Sequence, residues 1–82
     1  MAQVILTTDL SRQFAGGETL VELEGENIRQ IVRGLDERFP GIGAVIRAGM
    51  IVAIDGQIYS DPFLEPVQEN SEVCFLPPIG GG

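Results

Sequence analysis

Apolar and polar positions alternate at both ends of this chain, and between them the period lengthens to that of a helix. From Gln3 to Thr8 the residues are rich in β-branched types, and Val4 and Leu6 share one parity, which predicts a half-buried strand. Ser11, Gly16 and Gly17 break any regular pattern, so Asp9 to Gly17 reads as a loop delivering the chain to a second strand near Glu18 to Glu24. There Thr19, Val21 and Leu23 alternate with Glu18, Glu22 and Glu24, one face packed and the other wet, and the two strands read as a hairpin. Asn27 and Gln30 have the spacing of a capping box at a helix start. Ile28, Ile31, Val32, Leu35 and Phe39 then form one apolar stripe, with Arg29, Arg33, Asp36 and Glu37 on the other side, until Pro40-Gly41 ends the helix.

The stretch Ile42 to Ala48 reads as a short turn or helical fragment. Met50 to Asp55 is a continuous apolar run, and Asp55-Gly56 signals a tight hairpin to Gln57–Tyr59. Ser60 to Asn70, with Pro62 and Pro66, reads as a connecting loop pinned by Phe63, Leu64 and Val67, before a last strand at Glu72 to Leu76. This order predicts an α+β fold: a mixed sheet of four to five strands with one main helix packed on one face, as in the ubiquitin-like β-grasp arrangement. That order also permits the first and last strands to lie side by side and parallel in the middle of the sheet.

Eighty-two residues, 44% of them hydrophobic, suit one small core, so the expected division is a β-grasp domain over 1–76 and an extended, flexible tail over 77–82. Cys74 is the only cysteine and there is no histidine, which leaves no internal disulfide and no zinc cluster. No apolar run approaches the roughly 20 residues of a membrane span, and a cytoplasmic chain without membrane contact is expected. A formal charge of −7 repels phosphate backbones, and Arg29, Arg33 and Arg47 make no basic run, so nucleic acid is not an expected partner. The surface instead suits a protein with a basic face. Lysine is absent, which matches an arginine-preferring genome and also spares an activated carboxyl from capture by side-chain amines.

No catalytic constellation is visible. Ser11, Ser60 and Ser71 have no activating partner in sequence, Glu22, Glu24 and Glu26 read as a solvated edge, and Gly41-Ile42-Gly43 lacks the rest of a dinucleotide fingerprint. The informative segment is the end of the chain. Pro77 and Pro78 stiffen it and resist folding back, and Ile79-Gly80-Gly81-Gly82 is narrow enough to thread a tight tunnel in another protein. A frayed terminus is the plain alternative.

The segment Glu72-Val73-Cys74-Phe75-Leu76-Pro77-Pro78-Ile79-Gly80-Gly81-Gly82 resembles the C-terminal signature of the small, sulfur-carrying subunit of molybdopterin synthase and its ubiquitin-like relatives, the MoaD/ThiS family. Leu35-Asp36-Glu37-Arg38-Phe39-Pro40-Gly41 resembles the family's helix end, and Val52-Ala53-Ile54-Asp55-Gly56 its central hairpin. Two departures stand out: Gly80 where alanine is often seen, which loosens the neck, and Asp55 where asparagine is common, which a turn accommodates. The resemblance implies a chain that is no enzyme by itself and binds no cofactor alone. A ubiquitin-activating-type enzyme would use ATP to adenylate the Gly82 carboxylate, and a sulfur donor protein would convert it to a thiocarboxylate. Pro77, Pro78, Ile79, Gly80 and Gly81 would thread the partner's active site. The sulfur would pass to a pterin precursor in the large subunit of molybdopterin synthase, making the dithiolene that holds molybdenum, or to another sulfur-accepting synthase.

By period 2, and with the family pattern placing Val73 and Phe75 in the core, Cys74 and Leu76 face outward with Ile51 and Ala53 of the neighbouring strand, forming an apolar patch for partners. Cys74 reads as a small apolar surface residue, since no cation neighbours it in sequence. Three readings stay open at this level. The carrier could serve molybdopterin, thiamine, cysteine or another sulfur metabolite; the chain could be a ubiquitin-like modifier joined to lysines; or it could be a plain β-grasp interaction module.

Overall fold

The computed structural model describes residues 1–59 and 62–77. Five strands form one sheet: β1 (Ala2–Ile5), β2 (Leu20–Leu23), β3 (Ile51–Ile54), β4 (Gln57–Tyr59) and β5 (Glu72–Leu76), in the order β2-β1-β5-β3-β4. β5 lies parallel to β1 and antiparallel to β3, and the β1–β2 and β3–β4 pairs are antiparallel. This is the ubiquitin-like β-grasp fold expected from the element order. Val4, Val21, Val52, Val73 and Phe75 point to the inner face, where they pack with residues of all three helices in one buried cluster.

The helix α2 (Ile28–Arg38) buries Ile28, Ile31, Val32 and Leu35, the apolar stripe read from the sequence. Its start is capped as expected, with one difference. Asn27 Oδ1 accepts from Gln30 N–H at 2.9 Å, but the Gln30 side chain reaches back to the N–H of Glu26, at 2.8 Å, and not to that of Asn27. The next helix, α3 (Ile42–Arg47), is the fragment anticipated after Pro40-Gly41. Asp36 supplies its cap from α2, Oδ1 accepting from Gly41 N–H at 3.2 Å and Gly43 N–H at 2.9 Å. Gly41 sits at φ 100°, a left-handed backbone that favours glycine.

The segment expected as a loop over Asp9 to Gly17 is instead largely a helix, α1 (Thr8–Phe14). Thr7 caps it by accepting from Leu10 N–H at 3.2 Å, and Leu10 and Ser11 are buried under it. A seven-residue helix is not stable alone, so burial of Leu10 and packing of Phe14 against the core supply what local propensity does not. β1 and β2 are therefore an antiparallel pair joined through a helix and not a tight hairpin. The Asp55-Gly56 turn behaves as read: both residues have positive φ, 50° and 84°, the requirement of a type I′ turn.

Asp55 also braces the last strand. Its carboxylate accepts from Ser71 Oγ at 3.0 Å and Glu72 N–H at 2.8 Å, while its own N–H donates to the Glu72 carbonyl at 2.8 Å. The 62–67 segment is strapped across the start of α2: Ile28 N–H donates to Glu65 O at 3.1 Å, Arg29 N–H to Phe63 O at 3.0 Å, and Val67 N–H to Glu26 O at 2.9 Å. The first two satisfy donors that a helix start otherwise leaves unpaired. Val67 is buried and Phe63 half-buried, but Leu64, expected to help pin the loop, is 73% exposed. The strap's hydrogen bonds, with Phe63 and Val67, hold the segment without it. Among the described residues no helix is long and apolar enough to cross a membrane.

Three outcomes follow for stability. Ser11 Oγ is buried without a hydrogen-bond partner, so Ser11→Ala removes an uncompensated polar group and is expected to stabilise the fold by about 1 kcal/mol, read as a higher Tm. Asp55→Ala forfeits two hydrogen bonds and strains a left-handed position, and is expected to cost about 2 kcal/mol in urea unfolding. Asp55→Asn is expected to cost clearly less, because asparagine tolerates that backbone and can still accept from Glu72 N–H.

Candidate functional site

β5 is the strand that leads to the end of the chain, and it is the middle strand of five. Its alternation is strict: Val73 and Phe75 are fully buried, while Cys74 is half-buried and Leu76 is 38% exposed on the other face. Pro77 is exposed immediately beyond, and because proline carries no N–H it cannot extend the ladder. Pro78, Ile79, Gly80, Gly81 and Gly82, the residues expected to thread a partner and carry the chemistry, lie outside the described residues, as does Ser60.

Register brings the outward-facing residues into rows. Leu20, Ile5, Cys74, Ala53 and Ile58 are successive cross-strand partners over all five strands. A second, shorter row pairs Leu76 with Ile51 where the chain leaves the sheet. Leu20 is 54% and Ile58 58% exposed, so this band presents large apolar side chains at both edges of the sheet. On the far side of the band, Glu22, Gln3 and Glu72 form a third row with an acidic character. The arrangement suits encounter with a partner that offers an apolar surface next to basic groups.

Of the four patch residues expected from sequence, Ile51, Cys74 and Leu76 present surface on this face. Ala53 sits in the row but is only 7% exposed, because its short side chain lies between those of Cys74 and Ile58. It therefore offers little surface to a partner, and Ile58, Ile5 and Leu20 supply what it does not. These three were legible as outward by parity. Joining them into one band required the register.

Cys74 is not an activated thiol. Partial burial raises its pKa, and the neighbouring Glu72 carboxylate raises it further, by charge and by accepting from Sγ at 3.9 Å. Ser71, the other nucleophile candidate near the strand, is buried and engaged: its hydroxyl donates to Asp55 and accepts from Gln68 N–H at 2.9 Å. Ser11 is buried in the core. Glu22, Glu24 and Glu26 are all exposed, as a solvated edge requires. At the root of the tail, Pro77 borders an apolar groove of about 370 Å³ with Leu10, Val45 and Met50.

Comparison with known proteins agrees with this geometry. The ThiS family model matches residues 5–82. Comparison with curated protein sequences finds no match. Among solved structures, a chain of the Amycolatopsis orientalis BexX/CysO complex superposes with a TM-score of 0.87 at 24% identity, covering 100% of both chains. Mycobacterium tuberculosis CysO, described as an antigen, gives 0.86 at 16% identity over 96% of this chain and 100% of its own. The small archaeal modifier protein 1 of Methanosarcina acetivorans gives 0.80 at 21%, over 99% and 95%. At these identities the structural matches establish the fold.

The raised Cys74 pKa has a direct readout. Alkylation by iodoacetamide is expected to be slow at neutral pH and to accelerate with a midpoint above that of a free cysteine. Glu72→Gln is expected to lower that midpoint without restoring the free value, since burial, the larger cause, remains. A native-state pKa above the unfolded one also means that Cys74 leaves stability untouched at neutral pH and subtracts from it as pH rises past the unfolded thiol's pKa.

Proposed function

Since the chain belongs to the ThiS family, the ubiquitin-like sulfur carriers, we propose that it carries sulfur as a thiocarboxylate on the Gly82 carboxyl group. The observation that supports this most directly is that the family match runs through the terminal glycine and therefore includes the whole Pro77–Gly82 segment. The fold supports it from the other side, because the central strand β5 hands the chain to an exposed Pro77 beside an apolar band.

A carboxylate is a poor electrophile, and activation requires a better leaving group. In the proposed cycle a partner of the ubiquitin-activating type docks on the apolar band and attacks the α-phosphate of ATP with the Gly82 carboxylate, forming an acyl adenylate and releasing pyrophosphate. Hydrosulfide then adds to the acyl carbon and expels AMP, leaving the thiocarboxylate; where the persulfide of a donor protein adds instead, it expels AMP to give an acyl disulfide, and a thiol then cleaves the S–S bond, releasing the thiocarboxylate and forming a disulfide with the donor's sulfur. This chain contributes the carboxyl group and its presentation; ATP and the catalytic groups belong to the partner. The glycines let the backbone approach the reacting centre closely.

For the acceptor, we propose a pterin precursor held by the large subunit of molybdopterin synthase. The Phe75-Leu76-Pro77-Pro78 spelling and the chain length support that branch. A second reading, a ubiquitin-like protein modifier, is favoured by the likeness to a small archaeal modifier protein.

Incubation with its adenylating enzyme, Mg-ATP and sulfide is expected to exchange one carboxylate oxygen for sulfur, seen in the intact mass and localised to Gly82 by fragmentation. Deleting Gly82 is expected to abolish the exchange while leaving the far-ultraviolet circular dichroism unchanged. Stable adducts on lysines of other proteins, with no thiocarboxylate formed, would establish the modifier reading instead. Leu76→Asp is expected to raise the activating enzyme's KM for this chain by about tenfold with folding retained, as for a truncated apolar anchor at an interface.

A further inference from the structure

Three of the five arginines of this acidic chain meet at one place. Arg29 and Arg33, one helical turn apart on α2, converge with Arg47 from the last turn of α3 on a groove of about 550 Å³ that Phe63 and Leu64 complete. In sequence these arginines make no run; the packing of α3 on α2 creates the cluster. The groove lies on the outer side of α2, away from the apolar band, because α2 turns Ile28, Ile31, Val32 and Leu35 toward the sheet.

Two features are costly without an occupant. Like charges at Arg29 and Arg33, spaced i and i+4, disfavour the helix by about 0.2–0.5 kcal/mol, and Arg47 adds a third cation. Beside them Leu64 is 73% exposed, the most exposed large apolar side chain among the described residues. Its position is imposed by the backbone bonds that strap the loop to α2, Arg29 N–H to Phe63 O and Ile28 N–H to Glu65 O, so the apolar wall is preformed next to the cations. Asp36, which with Arg47 borders Gly43, already uses Oδ1 to accept from Gly41 and Gly43 N–H.

We propose that this groove docks a short acidic segment of a partner protein, its carboxylates on the three guanidinium groups and an apolar side chain against Phe63 and Leu64. Guanidinium forks pair bidentately with carboxylates. A long polyanion fits less well. Beyond roughly 8 Å, the screening length at physiological salt, it leaves these three cations for a surface that carries 12 acidic residues and only two further arginines, and it has nothing to cover Leu64. The surface is independent of the terminal carboxylate and of the apolar band, and adds a second attachment point to the carrier.

The test is a titration of the full-length 15N-labelled chain with the blocked peptide Glu-Leu-Asp-Phe-Glu, followed by NMR. Saturable shifts are expected at the Arg29, Arg33 and Arg47 side chains and at the Phe63 and Leu64 amides. Affinity is expected to fall about tenfold in Arg33→Gln and for the uncharged peptide Gln-Leu-Asn-Phe-Gln, and about threefold in Leu64→Ser. Both substitutions are at exposed positions, and an unchanged amide spectrum elsewhere verifies the fold. The proposal is overturned if no saturable shift occurs, if the uncharged peptide binds equally well, or if tripolyphosphate or a ten-nucleotide oligo-dT binds as tightly as the acidic peptide. A chain lacking Gly82 is expected to give the same titration, so failure here is separable from failure of the sulfur-carrier reading.

Discussion

The structure depends on β5 being held along both edges. It pairs with β1 through Gln3, Val4 and Ile5 and with β3 through Ile51 to Ile54, while Val73 and Phe75 fill the centre of the core. Releasing this strand would break two ladders and expose two fully buried side chains, one of them Phe75. Burying such a side chain contributes about 1.5–3 kcal/mol, so no local fluctuation frees the strand cheaply. Asp55 adds a clamp at the strand's first residue, and Pro77 stops the ladder just past its last. The point at which β5 hands the chain to Pro77 is therefore fixed relative to the sheet face.

Around that strand the surface divides by chemistry. The open side of the sheet carries an apolar band with an acidic row along one margin. The helix side, in contrast, gathers most of the chain's few cations into one groove. Small-domain economy explains how both arise. With one core to fill, α2 commits its apolar stripe inward, and its arginines are left on the outside, where α3 and the 62–67 strap bring further groups against them. The strap itself exists because the first N–H groups of α2 need acceptors, so a requirement of helix geometry also fixes Phe63 and Leu64 in place.

Much of this was legible from local pattern. Alternation identified the inward residues of β2 and, with the family pattern choosing the side, those of β3 and β5; helical spacing identified the stripe of α2; Asn27 and Gln30 marked its start; and Asp55-Gly56 marked the turn. Each of these signals is carried by residues within one or two turns of each other. The helix α1 was missed because its stabilisation is not local: seven residues including Ser11, followed by two glycines, gain their helical state from the burial of Leu10 beneath them. Leu64 was misplaced because an apolar residue in a loop is ordinarily drawn inward, whereas the strap's hydrogen bonds hold it out.

What the amino-acid order determined by itself was every element except α1, and the alternation of faces along β1, β2, β3 and β5, since periodicity and turn residues act over a few bonds. The tertiary structure alone decided which outward residues become neighbours. Leu20, Ile5, Cys74, Ala53 and Ile58 form a band only because the strand order and register align them, and Arg29, Arg33 and Arg47 form a groove only because two helices pack. Contacts between segments distant in the chain follow from how one shared core is filled, and no stretch of sequence contains that information on its own.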